Sequence, residues 1–164
     1  MHSRYLSLRR GQGLVVRPLR NGDVETVAAV FDSLGERSRR TRFNGAKPRL
    51  SEAELEMLAR VDATRHVLVG YLHGEERPVG IARLVREGSS AEIAFEVADE
   101  HQRLGIGSAL TGELLADARA AGITEVTALV SSDNPGALHL LRRLVGGLEI
   151  HFEGPELSVR AAIP

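Results

Sequence analysis

The sequence predicts an α+β fold: a mixed, mostly antiparallel sheet of about six to seven strands flanked by about four helices. Three observations predict it. The middle third holds three short strand-like runs divided by tight turns, the pattern of an antiparallel meander. The last third switches to strand, helix, strand, whose crossover should be parallel and right-handed. The chain has 164 residues, 43% apolar and 26% charged, the balance of one globular domain with its own core.

Taken in order, residues 1–13 carry Arg4, Arg9 and Arg10 but no apolar run, so they read as a flexible leader and not a secretory signal. A single domain is then expected over 14–164. Leu14–Leu19 reads as a first strand. Asn21-Gly22-Asp23 is a turn and helix cap, after which Val24, Val27, Ala28, Phe31 and Leu34 recur at helical spacing. Gly35–Arg49 is basic and reads as irregular. Ser51 and Glu54 make a capping box for a helix with Leu55, Leu58 and Ala59. The meander is Val67–Leu72, Val79–Val85 and Ala91–Ala98. Ser108–Ala121 is helical and Gly122 ends it. Ile123–Val130 is a strand, Asn134–Val145 a helix, and Leu148–Phe152 with Leu157–Ala162 a closing pair.

Composition narrows the chemistry. A net charge of -1 gives no global field that suits nucleic acid or a membrane surface, and no apolar run is long enough to cross a bilayer. There is no cysteine, which removes disulfides, thiolate metal sites and an S-acyl-enzyme. The six histidines form no H-x-H or H-E-x-x-H run, so no metal is assigned. A cytoplasmic location is the expectation.

The connection between the third meander strand and the next helix carries a candidate anion site. Gln102, Arg103, Leu104, Gly105, Ile106, Gly107 and Ser108 put two glycines one residue apart at a helix start. Glycines let backbone N–H groups crowd around a ligand. The helix start adds unpaired donors and a partial positive charge, and Arg103 adds a full one; together they suit a diphosphate. The bland alternative is a plain strand-to-helix turn. A P-loop would need Gly-Lys-Ser/Thr, and a dinucleotide fingerprint would need a small residue where Leu110 stands.

Gln102-x-x-Gly105-x-Gly107 resembles the acetyl-CoA signature Gln/Arg-x-x-Gly-x-Gly/Ala of the GNAT acetyltransferase superfamily. The element order around it agrees, and Asn134-Pro135-x-Ala137 opens the next helix as in that superfamily. The resemblance covers roughly Leu14 to Val145. It implies acetyl-CoA as co-substrate, a GNAT-like sheet whose strands Ala91–Ala98 and Ile123–Val130 splay apart, pantetheine pairing with backbone near Phe95 and Val97, and Asn134 reaching the cofactor from the far side. Asn134 also fits a helix N-cap, and one residue can do both.

Strand alternation places Glu92, Ala94, Glu96 and Ala98 on one face and Ile93, Phe95 and Val97 on the other. Two carboxylates beside small residues are candidate proton acceptors, or simply a solvated face. An acceptor is needed: a lysine amine with pKa near ~10.4 is neutral about once in 2,500 at pH 7, a handicap of roughly 4.6 kcal/mol. A carboxylate, directly or through water, can take that proton, and partial burial would make it a better base. Ala91-Glu92-Ile93-x-Phe95 resembles the strand that carries the catalytic Glu in protein and histone lysine acetyltransferases, which favours Glu92 over Glu96. Many members of the superfamily continue Asn-x-x-Ala-x-x-Leu-Tyr, the Tyr protonating the departing thiolate. Here Leu141 stands at that position and cannot donate, and His139 is a weak substitute.

Ser38-Arg39-Arg40-Thr41-Arg42-Phe43 resembles Ser-Arg-x-x-Arg-Phe of bacterial protein lysine acetyltransferases, and Ala82–Arg86 and Ser132-Asp133-Asn134 look like the same group. Those relatives acetylate a lysine of acyl-CoA synthetases and other proteins, and some join the catalytic domain to a synthetase-like or cyclic-nucleotide-binding domain. These 164 residues are too few to hold either partner domain. The resemblance implies N-acetyl transfer from acetyl-CoA to a protein lysine by direct attack. A small amine (polyamine, amino acid or aminoglycoside) and a non-catalytic acetyl-CoA-binding module remain as alternatives.

Overall fold

The computed structural model describes residues 2–43 and 47–164. It contains one eight-stranded sheet with five α-helices. The strands are β1 (Arg4–Ser7), β2 (Gly13–Pro18), β3 (Arg65–Leu72), β4 (Pro78–Glu87), β5 (Ser90–Val97), β6 (Glu125–Ser131), β7 (Gly146–Glu153) and β8 (Glu156–Ala162). The helices are α1 (Val24–Asp32), α2 (Glu36–Phe43), α3 (Glu52–Leu58), α4 (Ile106–Ala120) and α5 (Pro135–Leu144). Spatial order is β1-β2-β3-β4-β5-β6-β8-β7. Every neighbouring pair is antiparallel except β5–β6.

The parallel step is brief. β5 and β6 pair at Ser90↔Glu125, Ala91↔Val126 and Glu92↔Thr127, and the ladder stops there. β5 then follows β4 as far as Val97 while β6 follows β8 to Ser131. The strands therefore splay beyond Glu92, as the resemblance implied.

Two cores hold the layers. On one face α4 and α5 bury Ile106, Leu110, Leu114 and Leu141 against Leu14, Val16, Leu68, Leu84, Ile93 and Val159. On the other, α1 and α3 close over Val67, Val69 and Ile81 with Val27, Val30 and Ala59. Caps fix the helix starts. Asp23 accepts from the Thr26 amide, and Ser51 accepts from the Glu54 amide while its hydroxyl donates to the Glu54 carboxylate, which is the Ser51 half of the expected capping box.

Two expectations need correction. Residues 1–13, read as a flexible leader, supply β1, which pairs with β2 from Arg4↔Val16 to Ser7↔Gly13. Arg4 reaches α4, donating to Glu113 at 2.7 Å and to Asp117 at 2.6 Å. The basic segment read as irregular contains α2, and residues 44–46 of it lie outside the described residues. β1 and α2 account for the strand and helix beyond the expected numbers. After α2, Lys47, the sole lysine among 21 lysines and arginines, pairs with Glu54 at 2.7 Å.

Candidate active site

The loop after β5 is shaped by its backbone. A short 3-10 turn, Asp99–His101, leads to Gln102. Arg103 has φ 65°, the one non-glycine with positive φ among the described residues. Gly105 has φ 90° and precedes α4 with no side-chain cap. A left-handed residue costs roughly 1–2 kcal/mol for anything but glycine. Strain held at Arg103 together with an uncapped helix start is a reason to look for an anion there. The first turn of α4 contains no acid to compete for it. Around Gly105 a Cβ would meet nothing within 4 Å, so that side of the loop is open.

The loop residues divide into roles. Ile106 is fully buried, so it offers a ligand only its backbone, while Leu104 is half-buried against the core. Arg103 is exposed and Ser108 half-buried. Gly107 is closely packed: a Cβ there would stand 3.1 Å from the tip of Leu140 of α5, which would have to shift by a few tenths of an ångström, and 3.5 Å from Val97. Gln102 folds back: its amide Nε2 lies 3.2 Å from both the Val97 carbonyl and the Ser38 hydroxyl of α2. Phe95 and Val97 are half-buried on β5 beyond the point where β6 departs. Asn134 caps α5, accepting from the Ala137 amide at 3.2 Å, with Pro135 in the first turn.

The two carboxylates of β5 have different surroundings. Glu92 is exposed, on the last rung before the splay, with Val85 of β4 and Thr127 of β6 as its cross-strand neighbours. Glu96 is buried. Arg42 of α2 donates from Nε to Glu96 Oε2 at 2.7 Å, and Arg83 of β4 stands 3.5 Å from Oε1. The expectation of a partly buried base thus describes Glu96, while Glu92 is the carboxylate with room for a substrate. Arg83 is 8% exposed. Its Nη1 donates to the Leu58 carbonyl at the end of α3. Burial pushes its guanidinium below the ordinary value; Glu96 opposes that shift and Arg42 adds to it.

Sequence reading missed Arg83 and the partnership of Arg42 with Glu96. The available signal was an arginine inside the apolar run Val79–Val85, since a charge in a central strand needs a partner. At the expected thiolate-acid position, Leu141 is 2% exposed in the core. His139 is exposed.

A cavity of about 630 Å³ is lined by Glu36, Arg37 and Arg40 of α2 and by Asp133 before α5. A second, of about 350 Å³, lies around the C-terminal end of α4 with Asp117 and His66 in its wall; its lining includes neither the 102–108 loop nor Glu92, Glu96 or Asn134. Among the described residues no group of histidine and carboxylate side chains could hold a metal ion. No helix among them is long and apolar enough to cross a membrane.

Comparison with known proteins agrees with this geometry. The acetyltransferase (GNAT) family model matches residues 31–146. Acetyltransferase Pat of Mycolicibacterium smegmatis is 35% identical over 144 residues, covering 85% of this chain and 43% of that protein. Acetyltransferase PA5475 of Pseudomonas aeruginosa is 32% identical over 133 residues, covering 78% of this chain and 72% of that one. The crystal structure of the GNAT domain of S. lividans PAT superimposes with a TM-score of 0.87 at 26% identity, covering 98% and 97% of the two chains. The chain thus spans less than half the length of its M. smegmatis relative. With a sheet that opens at Glu92, a glycine loop at the start of α4 and a family match across both, the chain belongs to the GNAT acetyltransferase family.

Proposed function

We propose that this chain is an N-acetyltransferase that moves the acetyl group of acetyl-CoA to a primary amine, most naturally the lysine of a protein, with Glu92 as general base. One observation carries the reading: the β5–β6 ladder ends on Glu92↔Thr127, so an exposed carboxylate stands at the vertex of the opening between the two strands. Beyond that vertex β5 has no strand partner on its β6 side, which leaves backbone groups near Phe95 and Val97 for an extended ligand. The uncapped start of α4 and Arg103 suit the diphosphate of CoA.

In the proposed reaction Glu92, directly or through one water, takes a proton from the acceptor ammonium. The freed amine nitrogen attacks the thioester carbon. The new N–C bond forms as the C–S bond breaks; the amide nitrogen releases its second proton to solvent, and the CoA thiolate is protonated by solvent, because Leu141 offers no proton. A protein acceptor is favoured by the segment Ser38–Phe43, which lies in α2 beside β5 and β6. The matched relatives are themselves named as acetyltransferases.

The test is transfer of radiolabelled acetyl to proteins of a cell lysate, in parallel with spermidine, free lysine and an aminoglycoside. Labelled protein lysines with little product from the small amines is the expected result. Turnover of a small amine with no labelled protein would move the acceptor to that class. No transfer to any amine, with acetyl-CoA still bound, would leave a binding module.

A further inference from the structure

Helix α2 has the sequence Glu-Arg-Ser-Arg-Arg-Thr-Arg-Phe. It has no apolar stripe, and a helix of eight residues does not persist alone. Its position must come from tethers. Arg39 donates to the Phe31 carbonyl and lies over the Phe31 ring at 4.2 Å, and Phe43 meets the same ring edge-on at 5.6 Å. Ser38 meets Gln102. A further tether is an enclosed ion pair: the Arg42 and Glu96 side chains are 22% and 9% exposed.

Glu96 also serves a second cation. Arg83 stands opposite Ala94 in the β4–β5 register, between Glu92 and Glu96 on the same face, and the small alanine leaves room for its guanidinium. Arg83 holds the end of α3 through the Leu58 carbonyl, while its Nε and Nη2 have no hydrogen-bond partner. Two guanidiniums therefore depend on one enclosed carboxylate, and three elements (α2, α3 and β4) converge on it. Removing one member of such a group leaves a buried charge uncompensated, which costs far more than the group contributes net.

We propose that Glu96 is a positioning residue: through Arg42 it holds α2 against β5, and so fixes where an acceptor amine meets Glu92. The inference rests on the acetyltransferase reading above. Glu96 does not exchange protons with substrate. It sets acceptor geometry, so its loss appears in the acceptor KM, whereas loss of Glu92 appears in kcat.

The test uses the 164-residue chain with β-casein as acceptor, and measures acetyl-CoA affinity, acceptor KM, kcat, and hydrogen exchange of the α2 amides. Glu96→Gln and Arg42→Ala should each raise the acceptor KM about tenfold or more, with acetyl-CoA affinity kept and α2 exchange accelerated. Arg42→Lys should recover part of both effects. Because Glu96→Gln strands Arg83, the double variant Arg83→Met with Glu96→Gln is the folding control. It should regain thermal stability and still show the high KM and the fast α2 exchange. Recovery of KM together with stability would reduce Glu96 to a structural role and overturn the proposal. Unchanged α2 exchange in both Arg42→Ala and Glu96→Gln would overturn it as well. If the wild type transfers acetyl to no amine, the acetyltransferase reading fails, and exchange at α2 still decides whether the tether exists.

Discussion

Glu92 and Thr127 form the last rung between β5 and β6. The two strands part on one side of this pair and remain joined on the other, which places an ionisable group at the mouth of the gap without burying it. Glu92→Gln keeps the shape and removes the base. We expect kcat to fall by about 10²–10⁴ with acetyl-CoA affinity unchanged. The deficit should narrow as pH rises, because more acceptor amine is then already neutral. A pH–rate profile of both proteins checks this. Wild-type turnover by Glu92→Gln at neutral pH would assign deprotonation elsewhere. Glu96→Gln is not a neutral control, since Glu96 carries Arg42 and Arg83.

Gly105 and Gly122 make a matched pair for the cofactor loop. Both have positive φ, 90° and 83°, and neither would bring a Cβ within 4 Å of another atom. Alanine at either should cost roughly 1–2 kcal/mol of stability and a few degrees of Tm. Only Gly105→Ala should also weaken the thermal shift produced by acetyl-CoA, because its methyl enters the open side of the loop. Equal ligand shifts in the two variants would remove the diphosphate from this loop. Gly107→Val is a poorer probe, since it also presses on Leu140.

His139 is exposed on α5 and should contribute nothing to thiolate release. His139→Ala should leave kcat within about twofold of wild type at every pH tested, well short of the loss expected for an acid–base group. A loss that follows imidazole titration would give this side chain the role that Leu141 cannot fill.

Asp62 ties the entry to β3. The amide and hydroxyl of Thr64 donate to its carboxylate, as does the amide of Arg65, and these bonds lower its pKa from 3.8 to about 2. A carboxylate with a depressed folded pKa stabilises the fold above its unfolded value and ceases to do so as pH falls through the folded one. Asp62→Asn should therefore lower Tm at pH 7, and the gap to wild type should close between pH 3.8 and about 2. Thermal melts of both proteins across that window check the sign.

What the sequence showed and what it hid follow from the range of the interactions. The loop 102–108, the caps at Asp23, Ser51 and Asn134, and the meander rest on neighbours in sequence, so pattern sufficed. β1 lies at the sheet edge, with Tyr5 73% exposed, and its anchor Arg4 finds Glu113 at a separation of 109 residues. No local pattern reports such a bond. α2 was hidden because its residues are arginines where helical periodicity needs apolar ones. The site was half legible. Alternation put Glu92 and Glu96 on one face, but which of them is enclosed was decided by Arg42, 54 residues away.

The Lys47–Glu54 pair has a practical consequence for anyone who follows the label. In a protein proposed to mark lysines, Lys47 is the sole lysine of these 164 residues, so their side chains can store one acetyl group on an ε-amine and no more. The intact mass after an assay thus has one rung to climb by that route. Lys47→Arg removes the rung while leaving Glu54 a cation to pair with. Radioactivity on the catalyst then ceases to be background, and every remaining lysine signal belongs to the acceptor.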